Sequence, residues 1–206
     1  MIKTIVFDFG NVIGFFDYGI TTGRLARHSH LSADDIRRFI YGGELEDAYE
    51  SGRISSAEFL RRVREGCGLT CADEALSGAY ADMFWPNEEV CALVPRLKPR
   101  YKLLLGSNTT ELHSRHFVRQ FADTLRHFDG LVMSHEVGAR KPRPEFFRAA
   151  ERLAGSAAGE CVFIDDLPAN VAGARELGWQ GIVYARGTDL AAGLGKLGVR
   201  LAPAEV

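Results

Sequence analysis

The sequence predicts an α/β protein with a central parallel sheet and a helical insertion near the N-terminus. Five short apolar runs are separated by stretches with helical spacing of apolar residues, as expected for parallel strands joined by right-handed crossovers. Between residues 17 and 80 this alternation stops, and only helical patterns remain. The predicted domains are a helical insertion at 15–84 and an α/β core formed by 1–14 and 85–206.

The predicted strands are runs in which successive residues are apolar, without alternating polar positions. Such runs are typical of strands buried on both faces of a parallel sheet. In chain order, the runs are 5–7, 102–105, 130–133, 161–164 and 182–184. The first run, Ile-Val-Phe, leads directly into the acid Asp8. The sheet is therefore predicted to begin almost at the N-terminus.

The stretches between these strands favour helices. Pro144 stands where a first-turn proline is preferred, and Gly178 stands where a glycine commonly ends a helix. The tail after Gly187 is rich in glycine, alanine and leucine, which predicts a terminal helix and an irregular end. Helical spacing of apolar residues occurs in 90–97, 117–121, 146–153 and 171–177.

The insertion is predicted to be a small bundle of helices. Ser32 followed by Asp35, and Ser55 followed by Glu58, have the spacing of capping boxes at helix starts. Apolar residues follow each pair at helical spacing. Since no strand pattern interrupts them, the simplest interpretation is a helical domain inserted after the first strand.

Composition and charge exclude several classes of function. The 25 basic and 27 acidic side chains give a formal net charge of −2, so neither a nucleic acid nor a membrane surface is predicted as a partner. The N-terminal apolar run is too short for a signal peptide, and no later run is long enough to span a bilayer. The four cysteines lack zinc-site spacing. We therefore predict a cytoplasmic protein with reduced thiols.

Polar residues follow four of the predicted strands. Asp8 follows the first, Gly-Ser-Asn-Thr at 106–109 follows the second, Lys141 follows the third, and Asp165 and Asp166 follow the fourth. Because the carboxyl ends of parallel strands meet at one edge of a sheet, where ligands bind, we expect these side chains to converge. The sequence therefore predicts one polar site at this edge.

The predicted site has two chemical halves. Its three carboxylates are hard oxygen ligands that suit Mg²⁺. Ser107, Asn108 and Lys141 are hydrogen-bond donors that suit the oxygens of a phosphate group. Each residue alone has an ordinary structural explanation, such as a helix cap or a solvated turn. Their recurrence at successive strand ends favours a functional site.

With these residues in place, the sequence resembles the haloacid dehalogenase superfamily of hydrolases. Four motifs of that family occur in order, "IVFDFGNV", "LLLGSNT", "KP" and "VFIDD". The resemblance covers nearly the whole chain, and the insertion stands where the family carries a helical cap. It implies a Rossmann-like three-layer core with an inserted cap. The "DFGNV" loop further resembles a subgroup that includes α-D-glucose-1-phosphate phosphatase.

The resemblance implies a Mg²⁺-dependent phosphatase that acts on a small phosphorylated metabolite such as a sugar phosphate. Asp8 would be the nucleophile that forms an aspartyl-phosphate, and would also bind the metal. Gly10 would contribute its backbone carbonyl to Mg²⁺, and Asp166 its carboxylate. Asp165 would lie beside them, bound through water or orienting the other ligands.

The resemblance also implies how the phosphate is held. Ser107 and Asn108 would bind the transferring phosphoryl group, while Lys141 would neutralise its charge and that of Asp8. Such fixed charges and donors carry most of the catalysis in phosphoryl transfer. Asp8 and Lys141 are accordingly the predicted catalytic residues.

Gly10 departs from the family pattern. In family phosphatases an Asp at this position protonates the leaving alcohol and then activates water, and positioned proton transfer is worth about 10²–10⁴ in rate. Three alternatives remain open. The substrate has a good leaving group, such as an anomeric oxygen or an acyl phosphate. Another residue, with Asp17 as first candidate, or a water replaces the acid. In the third alternative, phosphatase activity is feeble and the protein has a binding function instead.

Two rival functions follow from this departure. One is a metal-independent haloacid dehalogenase-type hydrolase. The paired acids of the last motif favour a metal-binding site and therefore argue against this function. The other is a catalytically weak phosphoryl-binding or regulatory module. Glu44 and Tyr49 of the insertion are candidate substrate contacts, with an ordinary solvated helix face as an equal alternative. The sequence predicts no oligomeric state.

Overall fold

A parallel sheet forms the centre of the computed structural model, which describes residues 1–203. The sheet contains five strands in the order β5-β4-β1-β6-β7, and two further strands form a separate ribbon. The strands in these residues are β1 (Thr4–Phe7), β2 (Gly14–Phe16), β3 (Phe84–Pro86), β4 (Lys102–Ser107), β5 (Gly130–Met133), β6 (Cys161–Asp165) and β7 (Gln180–Val183).

The strand register places the predicted polar residues at the same end of the sheet. All five strands of the sheet run parallel, and Phe7 of β1 pairs with Leu105 of β4 and with Ile164 of β6. The next residue along each strand is Asp8, Gly106 or Asp165. The parallel α/β fold predicted from the apolar runs is thus confirmed.

Twelve α-helices connect and cover the strands of the described chain. In residues 1–203, no helix is both long and apolar enough to cross a bilayer. The helices are α1 (Tyr18–Ala26), α2 (Ala33–Ile40), α3 (Glu44–Glu50), α4 (Ser56–Cys67), α5 (Asp73–Ala81), α6 (Glu88–Leu97), α7 (Glu111–Gln120), α8 (Ala122–Leu125), α9 (Ser134–Val137), α10 (Pro144–Ala154), α11 (Pro168–Glu176) and α12 (Leu190–Lys196). Pro144 begins α10 as predicted, and the predicted terminal helix is α12.

The sheet is buried on both faces, which explains its continuous apolar strands. On β1, Ile5 and Phe7 pack into a cluster with residues of α6, α7 and α12. Val6 points to the other face, into a cluster with residues of α10 and α11. Alternate side chains therefore enter different layers, and both layers require apolar residues. This arrangement confirms the three-layer, Rossmann-like core.

Helices α1–α5 pack around an apolar cluster of their own, which includes Leu25, Ile40 and Tyr80. The predicted capping box at Ser32 is present in full. At Ser55 only one half forms, because the side chain accepts from the backbone N–H of Glu58 without a reciprocal bond. The division of the chain at 15–84 remains a proposal.

The chain enters and leaves this helical region through a short antiparallel ribbon. In the ribbon β2 pairs with β3, so that Gly14 lies opposite Pro86 and Phe16 lies opposite Phe84. The sequence does not predict these strands, since each has only three residues and shows no clear alternation. The ribbon places the two connections side by side, next to the loop that follows β1.

Candidate functional site

The loop after β1 holds Asp8 in a fixed orientation. The backbone N–H of Phe9 donates to Asp8 Oδ1 over 2.7 Å. Two residues later, Asn11 has φ 56°, a left-handed conformation that asparagine tolerates better than most residues. Its side-chain amide donates to Asp166 Oδ2 at 2.9 Å. The "DFGNV" loop is thereby joined to the end of β6.

Lys141 lies at the centre of the cluster, and its side chain is only 1% exposed. Its ammonium is 2.7 Å from Asp8 Oδ1 and 2.8 Å from Asp165 Oδ2. It also donates to the backbone carbonyl of Gly106 at 2.9 Å. Two carboxylates and a carbonyl oxygen thus surround the ammonium, and such opposite charges allow a buried lysine to remain charged.

Asp165 is fully buried and is held by several donors besides Lys141. The side-chain amide of Asn170 lies 2.9 Å from Oδ1 and 3.1 Å from Oδ2, and the backbone N–H of Leu167 donates to Oδ1 at 2.9 Å. Both carboxylate oxygens are therefore already bonded. This arrangement suits a residue that orients Lys141 and its neighbours.

Three carboxylates approach closely at this edge of the sheet. Asp8, Asp165 and Asp166 each offer one oxygen, and these oxygens lie within 4.8 Å of one another. The three acids and the single ammonium of Lys141 sum to a formal charge of −2 in a largely buried site. A hard divalent cation would balance that charge, so the donor set fits Mg²⁺.

Burial and neighbouring charges act against each other on these groups. Burial raises the pKa of the Asp8 carboxyl well above its ordinary value, although the Lys141 ammonium opposes the shift. Burial also raises the pKa of Asp166, against the hydrogen bond from Asn11. For Lys141, burial disfavours the charged form, but Asp8 and Asp165 outweigh it and its pKa is raised.

Ser107 and Asn108, the predicted phosphate ligands, have different surroundings. Ser107 ends β4 and is buried, with its hydroxyl 3.3 Å from the backbone carbonyl of Asn108. The Asn108 side chain bonds the backbone of Lys141 twice, accepting from its N–H at 2.7 Å and donating to its carbonyl at 3.1 Å. Asn108 therefore fixes the position of Lys141, and direct phosphate binding by its side chain remains a prediction.

A small cavity lies between this edge of the sheet and the helical insertion. The core contributes Gly10 and Ser107, and the insertion contributes Tyr18, Glu46 and Glu50 among others. The space open to water is about 50 Å³. That is room for only about three or four water molecules. The helical insertion therefore covers the predicted site closely.

Gly10 stands where the family has a catalytic Asp, and Asp17 is the first candidate to replace that acid. A Cβ atom on Gly10 would lie 3.1 Å from the ring of Phe16, so this ring occupies the space beside the glycine. Asp17 is exposed, and its carboxylate caps α1 by accepting from the backbone N–H of Gly19 at 2.7 Å. Its carboxylate thus has a structural partner outside the cavity.

The close contact at Gly10 leads to a stability prediction. We expect Gly10→Ala to lower the free energy of unfolding by about 1 kcal/mol, because the added methyl overpacks against Phe16. In a Phe16→Leu background the same change should cost less, which urea unfolding would reveal as coupling between the two sites. Gly23→Ala is the matched control, since a Cβ there meets nothing within 4 Å in the interior of α1. An equal cost in both backgrounds would contradict the contact.

The insertion residues at the cavity differ from those proposed from sequence. Glu44 stands at the exposed start of α3, and Tyr49 lies in the apolar cluster of the insertion, with its hydroxyl 2.6 Å from that of Ser56. Glu46 and Glu50 line the cavity instead. One helical turn separates these two glutamates, and that spacing is the only sequence signal that could have selected them.

Known proteins match this chain over most of its length. The sequence profile of the haloacid dehalogenase-like hydrolases matches residues 2–178. A D-ribitol-5-phosphate phosphatase from Bacteroides thetaiotaomicron is 27% identical over 197 residues, which are 92% of this chain and 95% of that protein.

Solved structures show the same fold. A predicted HAD-like family hydrolase from Porphyromonas gingivalis superposes with a TM-score of 0.82 at 26% identity, covering 97% of this chain and 99% of that one. A HAD family enzyme from Bacteroides thetaiotaomicron, in complex with magnesium and inorganic phosphate, gives a TM-score of 0.80 at 25% identity, covering 93% and 98%. The chain therefore belongs to the haloacid dehalogenase-like hydrolase family.

Proposed function

We propose that this hydrolase is a Mg²⁺-dependent phosphatase that releases phosphate from a small phosphorylated metabolite. The observation that carries the proposal is the buried Lys141 ammonium, which joins Asp8 to Asp165 at the carboxyl edge of the sheet. A carboxylate held beside a fixed positive charge suits attack on a phosphorus centre. The phosphatase among its relatives supports the same activity.

The metal-binding residues in this proposal are Asp8, Asp166 and the backbone carbonyl of Gly10, with Asp165 orienting them. The close carboxylates and their net charge of −2 support a divalent cation. The relative crystallised with magnesium and phosphate supports Mg²⁺. Bound there, Mg²⁺ supplies positive charge that stabilises the phosphate oxygens.

The reaction begins with Asp8. One of its oxygens bonds the Phe9 N–H and faces Lys141, and within residues 1–203 the other accepts no hydrogen bond. The second oxygen is therefore the one that attacks phosphorus, forming an aspartyl-phosphate as the bond to the leaving group breaks. Ser107 donates to a phosphoryl oxygen, and Lys141 offsets the charge of the transferring group. Water then releases phosphate and restores the Asp8 carboxylate.

A sugar phosphate or sugar-alcohol phosphate is the substrate class we favour. The cavity wall contains Tyr18, Glu46 and Glu50, whose polar atoms suit hydroxyl groups. The phosphatase from Bacteroides thetaiotaomicron is named for such a substrate. Because the present cavity has room for only a few waters, substrate entry requires the insertion to move away from the sheet. The resemblance to α-D-glucose-1-phosphate phosphatase remains a prediction.

A screen of phosphate esters tests this function directly. Phosphate release is measured over sugar phosphates, sugar-alcohol phosphates, nucleotides and acyl phosphates, with Mg²⁺ or with EDTA. We expect turnover on some of these esters, and a loss of about 100-fold or more in EDTA, because the three clustered acids otherwise repel the substrate.

Two outcomes of the screen would contradict the proposal. A hydrolytic activity that is indifferent to EDTA would favour carbon–halogen cleavage by Asp8 without a metal. Tight binding of phosphate compounds with no turnover on any ester would favour a regulatory phosphoryl-binding module. The screen therefore separates the proposed phosphatase from both rival functions.

A further inference from the structure

The proposed reaction needs a proton donor for the leaving oxygen, and the loop after Asp8 does not provide one. Gly10 has no side chain, and the ring of Phe16 stands beside it. Asp17 is exposed and caps α1. A replacement must therefore be an ionisable group that reaches the same cavity from another part of the chain.

Glu50, at the end of α3, meets this requirement. It lines the cavity together with Gly10 and Ser107, although it is only 9% exposed overall. Its Oε2 lies 2.8 Å from Arg140 Nε, but the direction is not that of a hydrogen bond. Within residues 1–203 neither of these two buried atoms has a hydrogen-bond partner. The carboxyl group of Glu50 is therefore buried at the cavity and incompletely bonded.

The other ionisable groups at the cavity are already engaged. One carboxylate oxygen of Glu46 accepts from the backbone N–H of Gly42 at 2.7 Å, and the other lies 3.5 Å from the hydroxyl of Tyr18. His113 Nε2 lies 3.1 Å from the carbonyl of Tyr80, and burial lowers the pKa of this imidazole to about 3. Glu50 is left as the carboxyl group suited to move a proton.

We propose that Glu50 is the general acid and base that replaces the acid missing at Gly10, an inference that rests on the proposed phosphatase function. In the first step the protonated Glu50 carboxyl gives its proton to the leaving oxygen while the Asp8 oxygen–phosphorus bond forms and the ester bond breaks. In the second step the Glu50 carboxylate takes a proton from the attacking water. The water oxygen bonds phosphorus, Asp8 leaves as a carboxylate, and Glu50 is protonated again.

The ionisation of Glu50 supports this role. Burial raises its pKa to about 7, against the opposing charges of Arg140 and Lys141. A carboxyl group with such a pKa exists in both forms near neutral pH, as an acid and base in successive steps requires. The ionisable groups facing it are Arg140 and Lys141 from the segment before α10, Glu46 and Asp47 on α3 itself, Tyr18 on α1 and Tyr80 on α5.

The test compares substrates that differ in how much their leaving group needs a proton. An alkyl ester such as a sugar-alcohol phosphate requires protonation, whereas the nitrophenolate of p-nitrophenyl phosphate leaves without it. With Mg²⁺ present, we expect Glu50→Gln to lower kcat on the alkyl ester by about 10²–10⁴-fold. On p-nitrophenyl phosphate it should release about one equivalent of nitrophenol rapidly and then stall, because water activation is lost.

Two further variants separate proton transfer from a structural role. Asp47→Asn is the matched control, since Asp47 Oδ1 also pairs with Arg140, at 3.0 Å, but Asp47 lies outside the cavity lining. It should keep the wild-type ratio of the two substrates and show no burst. Glu50→Asp retains a carboxyl group and should keep more alkyl-ester activity than Glu50→Gln.

Three results would overturn the inference. The first is Glu50→Gln slowing the first turnover of both substrates equally, with no nitrophenol burst, or changing only KM. The second is Asp47→Asn producing the same burst. The third is Glu50→Asp matching Glu50→Gln while both variants unfold at the wild-type urea midpoint. A wild-type protein that hydrolyses neither ester would instead contradict the phosphatase function itself, and the inference would fall with it.

Discussion

Asp8→Asn is expected to lower Mg²⁺-dependent phosphate release by about 10⁴-fold or more, the scale seen when a covalent nucleophile is removed. The amide retains the shape of the carboxylate, but it lacks the negative charge with which Asp8 is proposed to attack phosphorus and to bind the metal. Asp8 Oδ1 also lies 2.7 Å from the Lys141 ammonium, so removing the charge of Asp8 affects both the carboxylate cluster and the phosphate-binding donors. The measurement is kcat/KM on the best substrate of the ester screen.

Asp17→Asn is the control for this variant. It makes the same chemical change nine positions away, at an exposed N-cap where Asn and Asp serve about equally well. We expect wild-type turnover from it. Full turnover by Asp8→Asn would show that Asp8 is not the nucleophile. A large loss in Asp17→Asn would revive Asp17 as a candidate for the missing acid.

Lys141→Met is expected to lower both activity and stability. Without the ammonium, the buried carboxylates of Asp8 and Asp165 lose the cation that lies within 2.8 Å of both. Breaking a buried ion pair by removing one partner typically costs about 3–5 kcal/mol of unfolding free energy. Loss of a fixed positive charge at the transferring group should also lower kcat by about 10³-fold.

Urea unfolding and phosphate release at neutral pH measure these two effects. Lys196→Met is the matched control, because Lys196 is exposed at the end of α12. It should change neither quantity appreciably. If Lys141→Met unfolds at the wild-type urea concentration, the ammonium does not hold the acidic cluster together. If it turns over normally, the charge is not needed for catalysis.

The sheet edge could be predicted from sequence because its physical cause is local. Strands such as 161–164 are buried on both faces and are therefore uniformly apolar, so the first polar residues after them are conspicuous. Asp8, Asp165 and Asp166 are identified in this way, and the structure brings them together with Lys141, which lies beyond α9 and belongs to the "KP" motif. Their catalytic and metal-binding roles remain proposals.

Other parts of the site depend on contacts that no local pattern reveals. Helix α3 has four acidic residues among seven, and nothing in that run shows which of them faces the cavity. Glu50 is buried there, and Arg140, ninety positions later in the chain, lies against it. The side-chain amide of Asn108 could donate to a phosphate, yet it hydrogen-bonds the backbone of Lys141. These distinctions arise from tertiary packing.

The ribbon of β2 and β3 has a consequence for how such a protein can change over evolution. Because Phe16 and Phe84 lie opposite each other, everything between them begins and ends at almost one point. A replacement module of different length or shape can be grafted at that point without shifting the register of the five parallel strands. Substrate range can thus diversify by exchange of a single block while the acids and the lysine beneath it stay in place.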